Sequence, residues 1–241
     1  MPSKTLICAL EVCYRCAYTD FDGLPSCPPP SDWQRVVKQK DELVAQLRQG
    51  KYVDVAKIYP NITIIHGQAK LTGGRSVAIN GQSYTPGKII LATGAVPWAP
   101  PIPGLKETGF LDSTDALSLQ ALPKSLLVIG GGAIGLELGQ LFARLGVKVT
   151  VLEAAPHIAP LEEPELSHAL TEYLEDEGLE IHAGLRVLGV ERASDGCCVH
   201  IERAGKRETF MGEQILVTTG RRPNTQNLGL EAAGVTVGQR G

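Results

Sequence analysis

Apolar residues gather most tightly between positions 126 and 153. Leu126-Leu127-Val128-Ile129 and Val147-Lys148-Val149-Thr150-Val151-Leu152 are short runs rich in Val, Leu and Ile. That is the pattern of parallel strands buried on both faces. Between them Ile134, Leu138, Leu141, Phe142 and Leu145 recur at helical spacing and give one apolar face. The stretch predicts strand, turn, helix, strand, with Gly130-Gly131-Gly132-Ala133-Ile134-Gly135 at the first turn.

The rest of the chain is punctuated around this unit. Thr5 to about Tyr18 predicts a helix, and Asp20 to Asp32 is a loop with Pro25, Pro28, Pro29 and Pro30. A second helix starts near Ser31, capped by Ser31 or Asp32. It carries Val36, Val37, Leu43, Val44 and Leu47 on its apolar side and stops near Gly50. Ile62 to Leu71 and Ser76 to Asn80 read as strands, with a hairpin signal at Asn80-Gly81. Lys88 to Ala92 reads as a third strand, ending in Thr93-Gly94-Ala95. Pro97, Pro100, Pro101 and Pro103 make Val96 to Gly104 a stiff connector. Leu111 to Leu122 carries a short helix with Ser113 as its cap.

Beyond the central unit, Glu165 to Glu177 predicts a helix behind Pro164, and Glu180 to His182 a strand. Val187 to Arg192 and Cys197 to Glu202 pair through the turn at Asp195-Gly196. Gln214 to Thr219 is a further apolar strand, and Gly234 to Val237 looks like the start of another. Two strands end alike, in Ala92-Thr93-Gly94 and in Thr218-Thr219-Gly220. Each can bring a glycine backbone against a nucleotide at the carboxyl end of a parallel sheet. The fold class is therefore α/β with two Rossmann-like dinucleotide-binding domains. Residues 113–230 form a complete, doubly wound one, residues 1–112 an incomplete one, and residues 231–241 start the return to the first.

The glycines of the central turn have separate tasks. Gly130 permits the turn, Gly132 lets a pyrophosphate approach the backbone, and Gly135 lets the helix pack on the strand. The helix N-terminus offers free N–H groups and a positive dipole end to phosphates. Glu153, ending the next strand, can accept from the ribose hydroxyls. It repels a 2′-phosphate, and Ala154 and Ala155 supply no cation, so NADH is expected over NADPH. The plainer reading is a glycine-rich turn between core elements. The net charge of -3 gives no reason to expect nucleic acid. No apolar run spans a membrane and no signal peptide opens the chain, so a cytoplasmic setting is expected.

Six cysteines form no regular framework. Cys8 and Cys13 point about 140° apart on a helix. Cys13 and Cys16 share a face and could bind metal, but separate thiols are the simpler account. Cys197 and Cys198 are neighbours on a strand and face opposite ways. His66 and His182 sit in apolar strands as structural residues, and His157 and His168 on the surface. Trp33 and Trp98 are read as packing residues, and Glu162 to Glu165 as a solvated helix start.

Met1-Pro2-Ser3-Lys4, Ala92-Thr93-Gly94-Ala95, the run Gly130 to Glu137, and Thr219-Gly220-Arg221-Arg222-Pro223-Asn224 together resemble the flavin-dependent pyridine nucleotide-disulfide oxidoreductases. In that family Val-Pro-Ser-Lys follows the second redox cysteine. Lys51-Tyr52, Ile62 to Ala69, Pro100 to Leu105 and Gln140 to Gly146 are most similar to the mercury(II) reductase branch. Dihydrolipoamide dehydrogenases come next. The resemblance implies that NAD(P)H passes a hydride to FAD, that FAD reduces a cysteine pair, and that the thiolates deliver electrons to mercury(II). A homodimer is implied for the full-length enzyme. Carried over by position, Lys4, Ala69, Thr93, Gly94 and Ala95 contact FAD. Gly130, Gly131, Gly132, Ala133, Ile134, Gly135, Leu136, Glu137, Glu153, Val187 and Gly220 hold the nicotinamide nucleotide.

The chain departs from the family pattern at both ends. The FAD glycine fingerprint and the redox cysteines, which belong before Met1, are missing, as are the later flavin motif and dimerisation domain. The expectation is an internal part of a longer enzyme with an incomplete FAD site, no catalytic residue, no metal site and no activity alone. An isolated, non-catalytic nucleotide-binding module is the competing reading.

Overall fold

The computed structural model of the chain describes residues 2–17 and 32–239. The loop expected between Asp20 and Ser31, with Cys27, and the thiol of Cys16 lie outside the described residues. In chain order, helix α1 (Pro2–Ala17) precedes α2 (Trp33–Arg48), which continues through a π turn (Gln49–Val53) into α3 (Asp54–Ile58). Strands β1 (Ala69–Gly73), β2 (Ser76–Ile79), β3 (Gln82–Tyr84) and β4 (Ala95–Pro97) follow, then short helices α4 (Leu105–Thr108) and α5 (Ser113–Ala116). The central unit is β5 (Ser125–Ile129), α6 (Ala133–Arg144) and β6 (Lys148–Leu152). Next come α7 (Pro164–Asp176), β7 (Glu180–His182), β8 (Arg186–Ala193), β9 (Gly196–Arg203), β10 (Lys206–Gly212), β11 (Gln214–Val217) and β12 (Arg221–Pro223). Contacts divide the chain into two compact units. One is residues 1–49 with 99–219, the other residues 50–98 with 220–241.

The first unit is built on a parallel sheet in the order β11-β5-β6-β7. Side chains alternate across a strand, and here both sets are buried. Leu126 and Val128 of β5 enter one core cluster with Leu138, Leu141 and Phe142 of α6, Leu174 of α7, and Leu6, Leu10, Trp33 and Val37 of α1 and α2. Leu127 and Ile129 enter a second cluster with Val190, Val199 and Ile201 of the antiparallel sheet β10-β9-β8. The domain is therefore not doubly wound. The link from β7 to β11 is a three-stranded meander, which covers the face where a second helical layer was expected. Burial of α1 and α2 against the α6 face places residues 1–49 in this unit, and packing of Ala99, Ile102, Leu105 and Phe110 on the second cluster places residues 99–112 there, so this unit takes in 1–49 and 99–219.

Local chemistry sets the ends of the elements. Pro164 opens α7, where its missing N–H is no loss. The Asp32 side chain caps α2, accepting from the Arg35 N–H at 2.9 Å. The cap of α5 is Asp112, not Ser113: its side chain accepts from Thr114 and Asp115 N–H, and Asp115 reaches back to the Asp112 N–H, a capping box. Along α2, Leu43 and Leu47 are exposed, while Lys40 is buried, donating to the Leu117 carbonyl at 2.8 Å and pairing with Asp41. Gly50 does not end this helix, which passes through the π turn to Ile58.

In the second unit, β1, β2 and β3 form an antiparallel sheet, with Asn80 and Gly81 both at positive φ in the hairpin turn. Residues 62–68, 88–92 and 234–237 are not strands. No described segment pairs with them, and Ile62, Ile64, Ile65, Ile90, Leu91, Val235 and Val237 are exposed. An apolar run becomes a strand only where a ladder satisfies its backbone. The proline-rich connector is partly paired: β4 and β12 form a two-stranded ribbon, matching Ala95 with Pro223 and Pro97 with Arg221. Trp98 N–H donates to the Gly220 carbonyl at 3.0 Å, and the Arg222 guanidinium lies 4.3 Å from the centre of the Trp98 ring.

Two carboxylates tie stability to pH. Arg15, and then Arg144, hydrogen-bond Glu11 and hold its carboxyl below the usual carboxylate range; His182 does the same for Glu180. A depressed folded value contributes stability that is present above the unfolded pKa of about 4.3 and is lost as pH falls through the folded value. Urea midpoints are expected to fall as pH drops below that range, and to fall less steeply in a Glu11→Gln/Glu180→Gln double variant. An unchanged slope in the double variant would contradict this assignment. Among the described residues no helix is long and apolar enough to cross a membrane.

Candidate functional site

The carboxyl end of β5 runs into a tightly packed turn. Gly130 sits at φ 111°, donates its N–H to the Leu152 carbonyl at 2.9 Å, and accepts from Thr218 Oγ1 at 2.9 Å. A methyl group on Gly135 would overlap the Gly130 carbonyl oxygen and stand 2.6 Å from Thr218 Oγ1. Gly132 is the N-cap of α6, with no side-chain cap and open space where a Cβ would be. The first turn of a 12-residue helix thus opens onto a clear approach, with no side-chain cap on its N–H groups among the described residues. These three glycines have the geometry that a pyrophosphate needs.

Glu153, 9% exposed at the end of β6, turns its carboxylate onto the same turn. One oxygen accepts from Gly131 N–H at 2.5 Å and the other from Ala155 N–H at 2.7 Å. Gly131 is needed for a reason the sequence does not announce: a Cβ there would press on the Glu153 stem and on Ile158 at 3.0–3.3 Å. The loop after β6 folds back over this glycine. Ala159, at φ 45°, donates its N–H to the Gly131 carbonyl at 2.8 Å, and buried Ser167 donates to the Ile158 carbonyl at 2.7 Å. Ala159 and Ser167 carry no local signal, because their roles come from packing between distant segments, and Thr218 reads only as the end of an apolar strand. The apolar strand before Thr218 is the one signal that pointed there.

The other residues read as nucleotide contacts fall in several places. Ala133 is exposed and Ile134 half-buried at the start of α6, while Leu136 turns its side chain into the core. Glu137 faces α1, where Lys4 pairs with it. Val187 lies on β8 opposite Ile201, beside a register shift. Of the residues read as flavin contacts, Lys4 belongs to the first unit. Ala69, Thr93, Gly94 and Ala95 belong to the second, as does Gly220. Gly94 and Gly220 flank opposite ends of the β4–β12 ribbon: Asn224 N–H donates to the Gly94 carbonyl at 2.9 Å, and Trp98 N–H to the Gly220 carbonyl. Neither Thr93 nor Gly94 ends a strand of a parallel sheet. Ala69 lines a polar depression of about 500 Å³ with Gln68, Lys70, Asn80 and Asn227.

Cys197 is buried and donates to the Gly212 carbonyl at 3.1 Å, and burial pushes its thiol up; Cys198 faces the other way. His182 contacts Glu180 at 2.8 Å and Arg203 at 3.2 Å beside the Phe210 ring. His66 is exposed outside any strand, not an apolar-strand residue. Among the described residues no group of three His, Cys, Asp or Glu side chains could hold a metal ion.

Known proteins resemble this chain in sequence and fold. Over all 241 residues the chain is 38% identical to a mercuric reductase of Staphylococcus aureus and 40% identical to one of Bacillus cereus, spanning 44% and 38% of those proteins. It is 38% identical to a dihydrolipoyl dehydrogenase of Thermus scotoductus, spanning 52% of it. Among solved structures, the HOCl-induced flavoprotein disulfide reductase RclA from Escherichia coli superposes over the whole chain with a TM-score of 0.83 at 32% identity, and the chain covers 51% of that protein. The chain therefore spans about half, or less, of the relatives it matches. A family model described as pyridine nucleotide-disulphide oxidoreductase matches residues 17–241, and the chain accordingly belongs to that family of FAD- and NAD(P)-dependent oxidoreductases.

Proposed function

We propose that this chain supplies the nicotinamide-nucleotide site, and part of the flavin site, of an NAD(P)H:mercury(II) oxidoreductase. The observation that carries the first part is the α6 N-terminus: an uncapped helix start, an open Gly132 and a buried Glu153 meet at one turn. There the pyrophosphate takes the free N–H groups of α6, and the Glu153 carboxylate takes the ribose hydroxyls. FAD, when bound, accepts the hydride and passes the electron pair onward. Lys4 and the backbone at Ala69 and at Thr93 to Ala95 are the residues offered to it. They fit it only in part, since the sequence holds a single G-x-G-x-x-G and the nicotinamide nucleotide uses it.

The mercury reading rests on relatives named mercuric reductase at 38–40% identity across the chain. The dihydrolipoyl dehydrogenase at the same identity favours a disulfide as the alternative acceptor. The test is NAD(P)H oxidation by the enzyme that carries this chain, with mercury(II) bound to small thiols or with lipoamide as acceptor. Mercury-dependent oxidation with release of elemental mercury supports the proposal, and turnover of lipoamide alone overturns it. The 241-residue polypeptide given FAD is expected to turn over neither, because no cysteine pair stands beside Lys4 in it.

A further inference from the structure

Helices α1 and α6 are joined by two charged rungs of opposite polarity. In the first, Lys4 on α1 pairs with Glu137 on α6. In the second, Glu11 on α1 accepts from Arg144 Nη1 on α6 at 2.7 Å. The partners are seven residues apart on both helices, or roughly 10 Å along each axis. Arg144 is itself fixed. Its Nε and Nη2 both reach Glu177 at 2.7 Å, its guanidinium lies 4.3 Å from the centre of the Tyr14 ring, and its side chain is 12% exposed. Gln140 adds a bond to Glu177 at 3.0 Å. Arg144 is held charged chiefly by Glu177.

The apolar contacts between these helices do not choose a register. Leu6 and Leu10 of α1 share a core with Leu138, Leu141 and Leu145, a row of like side chains that could accept them one turn along. The charges do choose. Sliding α1 by seven residues sets Lys4 against Arg144 in one direction and Glu11 against Glu137 in the other. Both are like-charge contacts, and a slide of one turn breaks both rungs. Charged flanks of this kind set register where a leucine seam is permissive.

We propose that Arg144 and Glu11 are positioning residues that hold Lys4 at Glu137. Lys4–Glu137 is 60% and 30% exposed by side chain, a weak pair on its own. The buried Arg144 rung two turns away supplies the rigidity that it lacks. The importance of Lys4 rests on the flavin reading above, but the geometric statement stands apart from it.

The test therefore uses neither flavin nor nucleotide. Lysines of the 241-residue chain are labelled with 13C-methyl groups by reductive methylation, and the Lys4 resonance is assigned by its loss in Lys4→Arg. Glu137→Gln gives the position of an unpaired Lys4. In Glu11→Gln, which leaves Arg144 with Glu177, the Lys4 resonance is expected to move most of the way to that unpaired position. Arg15→Gln, which removes only the exposed partner of Glu11, is expected to leave it in place. If Glu11→Gln lacks cooperative unfolding, Arg144→Lys, which keeps the charge but not the fork, is read in the same way. A Lys4 resonance at its wild-type position in a folded Glu11→Gln or Arg144→Lys protein overturns the proposal, because a merely structural rung lowers stability without moving that signal.

Discussion

Replacing Gly135 by alanine is expected to remove nucleotide binding and a sizeable part of the stability together. The added methyl would meet the Gly130 carbonyl oxygen and Thr218 Oγ1, and neither can yield. The first is backbone at a turn fixed by the Leu152 carbonyl, and the second is the hydroxyl that satisfies that same oxygen. The N-terminus of α6 must lift from β5. Overpacking and a lost hydrogen bond give a destabilisation of about 2–4 kcal/mol. Losing even one charge-assisted N–H bond to the pyrophosphate adds a roughly 10- to 100-fold loss of affinity. Gly132→Ala separates the two effects. Its Cβ meets nothing in the protein and its φ of −80° suits alanine, so it should unfold like the parent yet bind NADH weakly, because the methyl occupies the approach to the phosphates. Urea unfolding and titration calorimetry on both variants check this. Tight NADH binding by Gly135→Ala would place the nucleotide elsewhere.

The second large effect is nucleotide choice. NADH should bind more tightly than NADPH by about 3 kcal/mol, roughly a hundredfold, since a 2′-phosphate would lie against a buried carboxylate. The carboxylate cannot swing away without abandoning the Gly131 and Ala155 N–H groups. The residues that follow it supply no cation: Ala154 and Ala155 come next, and the His157 ring is turned to the Ile158 carbonyl at 3.0 Å. Glu153→Gln should shrink the preference to within about tenfold. It should also lower stability by about 1–3 kcal/mol, because the new amide group brings a donor against a backbone donor. Calorimetric titration with both nucleotides decides; equal or tighter NADPH binding by the parent protein would sink the argument.

The sequence was most legible where one stretch carried several signals that agree. From Leu126 to Glu153 the strand period, the helix period, the glycine spacing and the terminal acid all point to one structure, and the folded unit has those elements. Legibility failed where an element depends on what it meets. Ile62 to Gln68 and Lys88 to Ala92 have strand composition but no ladder among the described residues. Leu43 and Leu47 continue a helical stripe past the point where α2 is covered, and Lys40 is buried because the Leu117 carbonyl happens to face it. The strand β10 escaped notice because Lys206 to Gly212 alternates only loosely, and β9 orders it. At the site, Glu153 was legible as an acid at a strand end. Its grip on Gly131 was not, since that bond joins residues 22 apart in sequence.

The β4–β12 ribbon gives the gene a natural seam. The chain leaves the second unit after Trp98 and re-enters it at Gly220, and those two residues share a hydrogen bond. Everything from 99 to 219 is, in topological terms, one long loop with closed ends. Loop closure depends only slowly on length, so this excursion can be lengthened, shortened or exchanged while Ala95 and Pro223 stay in register. Recombination between two related genes at this ribbon would therefore transplant one glycine turn and its selecting acid as a cassette. The incoming segment would need a face that still accepts Leu6 and Leu10 of α1 and Trp33 and Val37 of α2, and carbonyls where Leu117 and Leu119 meet Lys40 and Trp33.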